Sequence, residues 1–245
     1  NAWVSDNGSF VFTTDEQSDA YLAAYDITDP NNIQEVDRIQ SNPGSNSIPH
    51  NTHVDGNFLI TSYYRDGTTV HDITHPNHMI QVAYYDSYTG SGNGFNGCWG
   101  TYPFLSSGNI ISSDRDSDNG KGILYIYGRG FQQACYLMGN VTDGTNGNNI
   151  GSADVTLLST TTSAQTNIVG DYQTAVVDSG TYLVVFSKNG YISDTLQVTL
   201  ANGVMTVLDA ILYPPCFMNV SVSTTDVSCN GASDGSAIVQ VIGGQ

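Results

Sequence analysis

The chain has 245 residues, with 6 Lys plus Arg against 23 Asp plus Glu and a formal net charge of −17. A balance of that sign repels nucleic acid and anionic membrane surfaces, and it excludes both as partners. No apolar run approaches the roughly 20 residues that a membrane helix requires, so no membrane span is expected. Asn, Asp, Ser, Thr, Gly and Tyr are plentiful while Lys and Glu are scarce, which predicts an all-β chain of short strands joined by turns. Asn1 is not a start residue, so the chain is expected to be processed, trimmed, or the ordered part of something longer.

Residues 1–130 carry an internal repeat. "NAWVSDNGSFVFTTDE" and "YLAAYDITDPNNIQEVDRI" align with "NTHVDGNFLITSYY" and "TTVHDITHPNHMIQVAYY", and the step from Asp26-Ile27-Thr28 to Asp72-Ile73-Thr74 is 46 residues. A looser third copy runs from "CWGTYPFLSSGNIISSD" into "GILYIYG". Each copy predicts an antiparallel unit of about four strands, the pattern of a propeller blade. Three such units are too few for the usual ring of about four to eight, so a partial propeller is expected. "YDITDP", "HDITHP" and "GCWGTYPFLSSGNIISSD" resemble the LVIVD-repeat, choice-of-anchor B family. The resemblance implies a secreted propeller without an assigned chemistry.

Two clusters in this segment are candidates for a metal. All five histidines, His50, His53, His71, His75 and His78, fall within one repeat, and His50-x-x-His53 brings two imidazoles close in sequence. No acidic residue stands near that pair at a known zinc spacing, and polar residues bonding the loops of a blade edge are its more ordinary reading. In "SDRDSDNGKG", Asp114, Asp116 and Asp118 alternate ahead of Gly120, as in a calcium loop that gathers carboxylate oxygens around a hard cation. Asn119 stands at the loop's glycine position and no glutamate follows at its end, and a solvated hairpin tip accounts for the same residues. Trp3, Trp99 and the 15 tyrosines offer rings for stacking on sugars, or for filling the space between blades.

Residues 136–213 change character, with strands separated by Gly/Asn turns. Gly139-Asn140-Val141-Thr142-Asp143, Gly170-Asp171-Tyr172, Gly180-Thr181-Tyr182 and Lys188-Asn189-Gly190-Tyr191 resemble the carboxypeptidase-regulatory-like, transthyretin-type sandwich. That resemblance implies a β-sandwich acting as an accessory or spacer module without catalytic residues. Cys135 and Cys216 bracket the segment, so a disulfide between them is one reading of their placement.

Residues 216–245 read as the opening of a third domain. "VSVSTTDVSCNGASDGSAIVQVIGG" resembles the start of an SprB-type adhesin repeat, an Ig-like unit whose remaining strands are absent here. The order propeller, sandwich, adhesin repeat resembles large surface proteins exported by type IX secretion. The three sequons, at Asn7, Asn140 and Asn219, are no more than the composition gives by chance, and Asp194-Thr195-Leu196 resembles a short O-glycosylation motif.

No nucleophile elbow, HExxH or phosphate-binding glycine loop is present, so no enzyme is expected and no catalytic residue is assigned. The expectation is an extracellular structural or adhesive surface protein, a fibre subunit touching copies of itself head to tail. The competing readings are a calcium-assisted glycan- or protein-binding adhesin module and, behind it, a secreted hydrolase.

Overall fold

The computed structural model describes residues 1–90, 94–115, 120–216 and 218–243, without the side chains of residues 218 and 219. Every named element among them is a strand. The first sheet is a four-stranded antiparallel meander of β1 (Ala2–Val4), β2 (Phe10–Thr14), β3 (Leu22–Asp26) and β4 (Gln34–Ile39). The second repeats it with β5 (Asn51–Asp55), β6 (Phe58–Ser62), β7 (Thr68–Asp72) and β8 (Ile80–Tyr85). The third has three strands, β9 (Cys98–Tyr102), β10 (Ile110–Asp114) and β11 (Ile123–Tyr127).

The internal repeat survives at the level of single bonds. Asp26 Oδ1 accepts from the Thr28 amide at 2.9 Å and the Thr28 hydroxyl at 2.7 Å, which holds its carboxyl below the usual range. In the second sheet Asp72 Oδ1 accepts from the Thr74 amide at 2.8 Å and hydroxyl at 2.5 Å. A bulge follows Ala24 in β3 and Val70 in β7, 46 residues apart. Short polar side chains that cap their own turn are what end a strand and aim the chain into the next one. In the second sheet the turn is also tied further along, because Asp72 Oδ2 accepts from the buried Ala134 amide at 2.7 Å.

Strand register identifies equivalent positions across the three sheets. Phe12 pairs Ala24, Ile60 pairs Val70, and Ser112 pairs Tyr125. Phe12, Leu22 and Ala24 of the first sheet are buried against Val54, Leu59, Ile73 and Met79 of the second. On its other face the second sheet buries Ile60 and Val70 against Ile110 of the third. Alternation along each strand makes this possible, since a period of two gives every sheet two faces. The sheets stack, the first on one face of the second and the third on the other.

The remaining chain forms a two-sheet sandwich and a hairpin. In the first sandwich sheet β12 (Cys135–Asp143) lies between β15 (Asp171–Val176) and β18 (Met205–Val207), with β19 (Ala210–Leu212) pairing β12 in parallel. The second has the order β14 (Ser163–Gln165), β13 (Asp154–Leu157), β16 (Gly180–Ser187), β17 (Asp194–Leu200). Val141, Val155, Leu157, Val184, Phe186 and Leu212 are fully buried between them, and the Tyr172 and Phe186 rings meet edge to face at 5.6 Å. β20 (Met218–Thr225) and β21 (Ser236–Gly243) form an antiparallel hairpin of two strands.

The chain divides into two compact units: Asn1–Leu137 with Ala175–Gly180 and Thr199–Thr206, and Met138–Thr174 with Thr181–Val198 and Val207–Gln245. Cys135 is a buried thiol with its Sγ 4.0 Å from the Val177 carbonyl oxygen, so the Cys135–Cys216 disulfide suggested by sequence is not formed. Spacing along a chain carries no information about which way two Cβ atoms point. Among the described residues no helix is long and apolar enough to cross a membrane, which says nothing about β-barrels.

Candidate assembly surfaces

The residues that sequence resemblance highlighted in the sandwich hold the fold together. Asn140 sits on β12, where its amide nitrogen donates to Asp209 Oδ1 at 2.9 Å. Its side-chain Nδ2 reaches the Val169 carbonyl at 3.0 Å and Asp171 Oδ1 at 2.8 Å. Tyr172 donates its hydroxyl to the Leu208 carbonyl at 2.7 Å. Asp143 accepts from Thr145 and, at 2.8 Å, from the Tyr191 hydroxyl, which holds its carboxyl low and pushes the phenol up. Lys188 Nζ donates to the Gly151 and Ser152 carbonyls at 2.8 and 2.9 Å. Gly139 is required by space, since a Cβ there would stand 2.0 Å from the Leu208 carbonyl oxygen. These contacts describe a framework, with each of these polar groups spent on a backbone carbonyl, a turn or a neighbouring side chain.

The candidate metal ligands are placed as follows. Asp114 ends β10, is 2 % exposed, and accepts from the Ser87 hydroxyl at 2.6 Å. Asp116 and Asp118 lie outside the described residues. His50 makes a short contact between Nδ1 and the Trp99 carbonyl, and its Nε2 is 3.7 Å from Glu16 Oε1. His53 packs on the Trp3 ring at 4.7 Å. His75 and His78 both meet the Tyr136 ring, at 4.5 and 6.0 Å. His71 is fully buried, and desolvation pushes its imidazole down to about 4. Among the described residues no three His, Cys, Asp or Glu side chains gather where a metal could be held.

Three surfaces are instead marked by exposed apolar side chains. The first is a row of rings along β1 and β9: Trp3, Trp99, Tyr102 and Phe104 are 36, 53, 46 and 39 % exposed, with Trp3 stacked on Phe104 at 5.6 Å. The second is the outer face of the third sheet, where Leu124 and Ile126 are 61 and 65 % exposed. The third is the terminal hairpin. Register places Val220 opposite Val241 and Val222 opposite Val239 on one face, while Ser221, Ser223, Gln240, Ile238 and Ile242 share the other. Those four valines are 47 to 61 % exposed.

Sequence reading missed the β11 face. "GILYIYG" is apolar at both parities, the signal of a strand covered on both sides. Only one side is covered.

Comparison with known proteins gives one family match. Residues 137–213 match the carboxypeptidase regulatory-like domain. No curated protein matches the chain. Among solved structures, the chain is similar to GBS52, the minor pilin of Streptococcus agalactiae, at 10 % identity and a TM-score of 0.30, over 46 % of this chain and 63 % of that one. It therefore spans less than two thirds of that pilin. It is also similar to the group B streptococcus pilus 2b backbone protein, at 13 % identity and a TM-score of 0.29, over 87 % of this chain and 83 % of that one. Scores of this size do not establish a common topology.

Proposed function

We propose that the chain is an extracellular structural subunit that assembles with copies of itself, head to tail, into a surface fibre. One observation carries the reading: β20 and β21 form a sheet of only two strands whose described residues are all exposed. An isolated hairpin is at best marginally stable in water, and both of its edges are open to pairing. Covering the four half-exposed valines contributes about 4 kcal/mol at roughly 1 kcal/mol each, by area. That corresponds to millimolar association, so strand pairing along the open edges must add to it. A contact between different surfaces of identical subunits propagates unless its rotation closes a ring. On this reading the sandwich is a spacer, and the chain's chemistry is that of packing.

The exposed ring row on β1 and β9 favours a second reading, an adhesin face stacking on glycans, because Trp99 and Tyr102 are presented to solvent. In that case Asp114 with Asp116 and Asp118 would offer carboxylate ligands to a calcium ion.

Light scattering after size exclusion and negative-stain microscopy test the fibre reading. The parent chain should form elongated oligomers that grow with concentration, and Val222→Lys should reduce them to short species. A parent chain that stays monomeric at all concentrations would overturn it. Glycan-array binding abolished by Trp99→Ala in a monomeric chain would support the adhesin reading.

A further inference from the structure

Beside β4 and β8, the last strands of the first and second sheets, lies a cavity of about 270 Å³ lined by Ser41, Asn42, Asp66, Thr69, Gln81 and Asp86. Thr69 pairs Tyr84 and His71 pairs Gln81 across β7 and β8, so Thr69, Gln81 and Tyr84 stand on one face of the second sheet. His71 also pairs Leu59, which is buried against the first sheet, so that face is turned toward the first sheet. The turn between β6 and β7 supplies Asp66, whose amide donates to the Tyr63 carbonyl at 2.9 Å. Gly67 then runs so close to the end of β8 that a Cβ on it would lie 2.8 Å from Asp86 Cα, which brings the two aspartates to one end of the cavity. Ser41, just past β4, donates its hydroxyl to Asp66 Oδ2 and ties the first sheet to this turn.

Two oxygens in this cavity lack a partner. Thr69 is 0 % exposed, yet its hydroxyl has no hydrogen-bond partner among the described residues, and neither has the buried Oε1 of Gln81. Buried polar groups are normally paired, so both call for a ligand. Burial pushes the Asp66 carboxyl above its ordinary range and the Asp86 charge adds to it, in spite of the bonds from Ser41 and Ser47 and the Arg65 charge. The cavity thus offers two carboxylates, hydroxyls and amide carbonyls, a surplus of oxygen acceptors that a positive charge would match. Oxygen donors of mixed type in an irregular shell suit calcium, which takes about six to eight of them, better than magnesium with its strict octahedron. At about 30 Å³ per water, the volume holds an ion together with the waters that complete its shell.

We propose that this cavity binds a calcium ion, with Asp66 and Asp86 as carboxylate ligands and Thr69 Oγ1, Gln81 Oε1 and water completing the shell. The site uses two carboxylates with neutral oxygens, and so differs from the clusters of three His, Cys, Asp or Glu that the described residues lack. Through the Ser41–Asp66 bond the ion pins the outer edge of the first sheet to that of the second. It is separate from the loop that follows Asp114, and it stands whether or not copies of the chain associate.

Titration calorimetry of the full chain, stripped with EDTA and titrated with calcium chloride against a sodium chloride blank of equal ionic strength, tests the site. The expected Kd is about 10⁻⁴–10⁻³ M, the range of extracellular calcium modules, and Asp66→Asn or Asp86→Asn should each raise it at least about tenfold. Thr69→Val keeps the shape and removes the unpartnered hydroxyl, so it should raise Tm without calcium and weaken calcium binding. The double change Asp116→Asn with Asp118→Asn should leave this binding intact. Circular dichroism verifies folding, and Asp86 is exposed, so Asp86→Asn decides the matter should Asp66→Asn fail to fold. No binding up to about 10 mM calcium, ten times the weakest expected Kd, overturns the proposal. So does parent affinity in folded Asp86→Asn or Thr69→Val, or binding that disappears only with the changes at Asp116 and Asp118.

Discussion

Replacing Asp72 by Asn, with Asp26→Asn as its internal control, isolates what a turn carboxylate contributes when it is buried. Both residues cap the same turn through their Oδ1 oxygens, but Asp72 is 0 % exposed and its second oxygen accepts from the Ala134 amide at 2.7 Å. Asparagine can keep an oxygen toward Thr74, and it then turns an NH2 group toward the Ala134 N–H. Two donors face each other, and a buried amide loses its acceptor. An unsatisfied buried group costs about 1–3 kcal/mol, and the lost charge-assisted bond adds about 1 more, so roughly 3 kcal/mol is expected. At about 2–4 °C per kcal/mol for a chain of this size, Tm should fall by about 6–12 °C. Asp26→Asn should move it little, since that carboxylate is exposed to water that replaces what is lost. Calorimetry of the three proteins decides it. Equal shifts for Asp72→Asn and Asp26→Asn would refute the reasoning.

Burial of His71 sets a pH dependence. Its ordinary value of 6.5 is pushed down to about 4, so between those values the unfolded chain binds a proton that the folded chain does not. Stability therefore falls as the pH drops from about 6.5 to about 4, by at most about 3.5 kcal/mol at ~1.4 kcal/mol per unit. Urea midpoints at pH 7 and 5 should drop for the parent and less for His71→Gln, and equal drops would remove His71 as the source. Gly67→Ala should cost at least about 3 kcal/mol, because its φ is +77° and a Cβ would lie 1.9 Å from the Tyr85 carbonyl oxygen. Gly56→Ala, at φ +59° with open space around it, should cost only about 1 kcal/mol in the same denaturation assay. Cys98 is buried and its thiol is pushed up to about 11, so iodoacetamide should label Cys229 in the native protein and leave Cys98 untouched until it unfolds.

Much of this architecture was legible because turns are written locally. Asp26-Ile27-Thr28 and Asp72-Ile73-Thr74 each encode a self-capped turn, and a fixed step between identical turns implies identical units. The sandwich was legible for a similar reason: Gly139, Gly170 and Asn140 are demanded by close backbone approach and by turn bonding. What the residues could not reveal was occupancy. Leu124 and Ile126 are as apolar as the buried Ile60 and Val70, and nothing local shows that their face is uncovered. The histidines misdirect in the opposite sense. Their clustering in one repeat suggests ligation, yet His53, His75 and His78 each pack against a ring, an environment made by distant segments.

Hydrogen exchange at the terminal hairpin tests self-assembly most directly. Amides along Val220–Thr225 and Ser236–Val241 that face the open edges have no partner strand within the chain, so they should exchange rapidly in dilute solution. As concentration rises into the range where oligomers form, the account predicts that their protection increases in step with oligomer mass. Exchange that stays fast and unchanged while oligomers accumulate would contradict it.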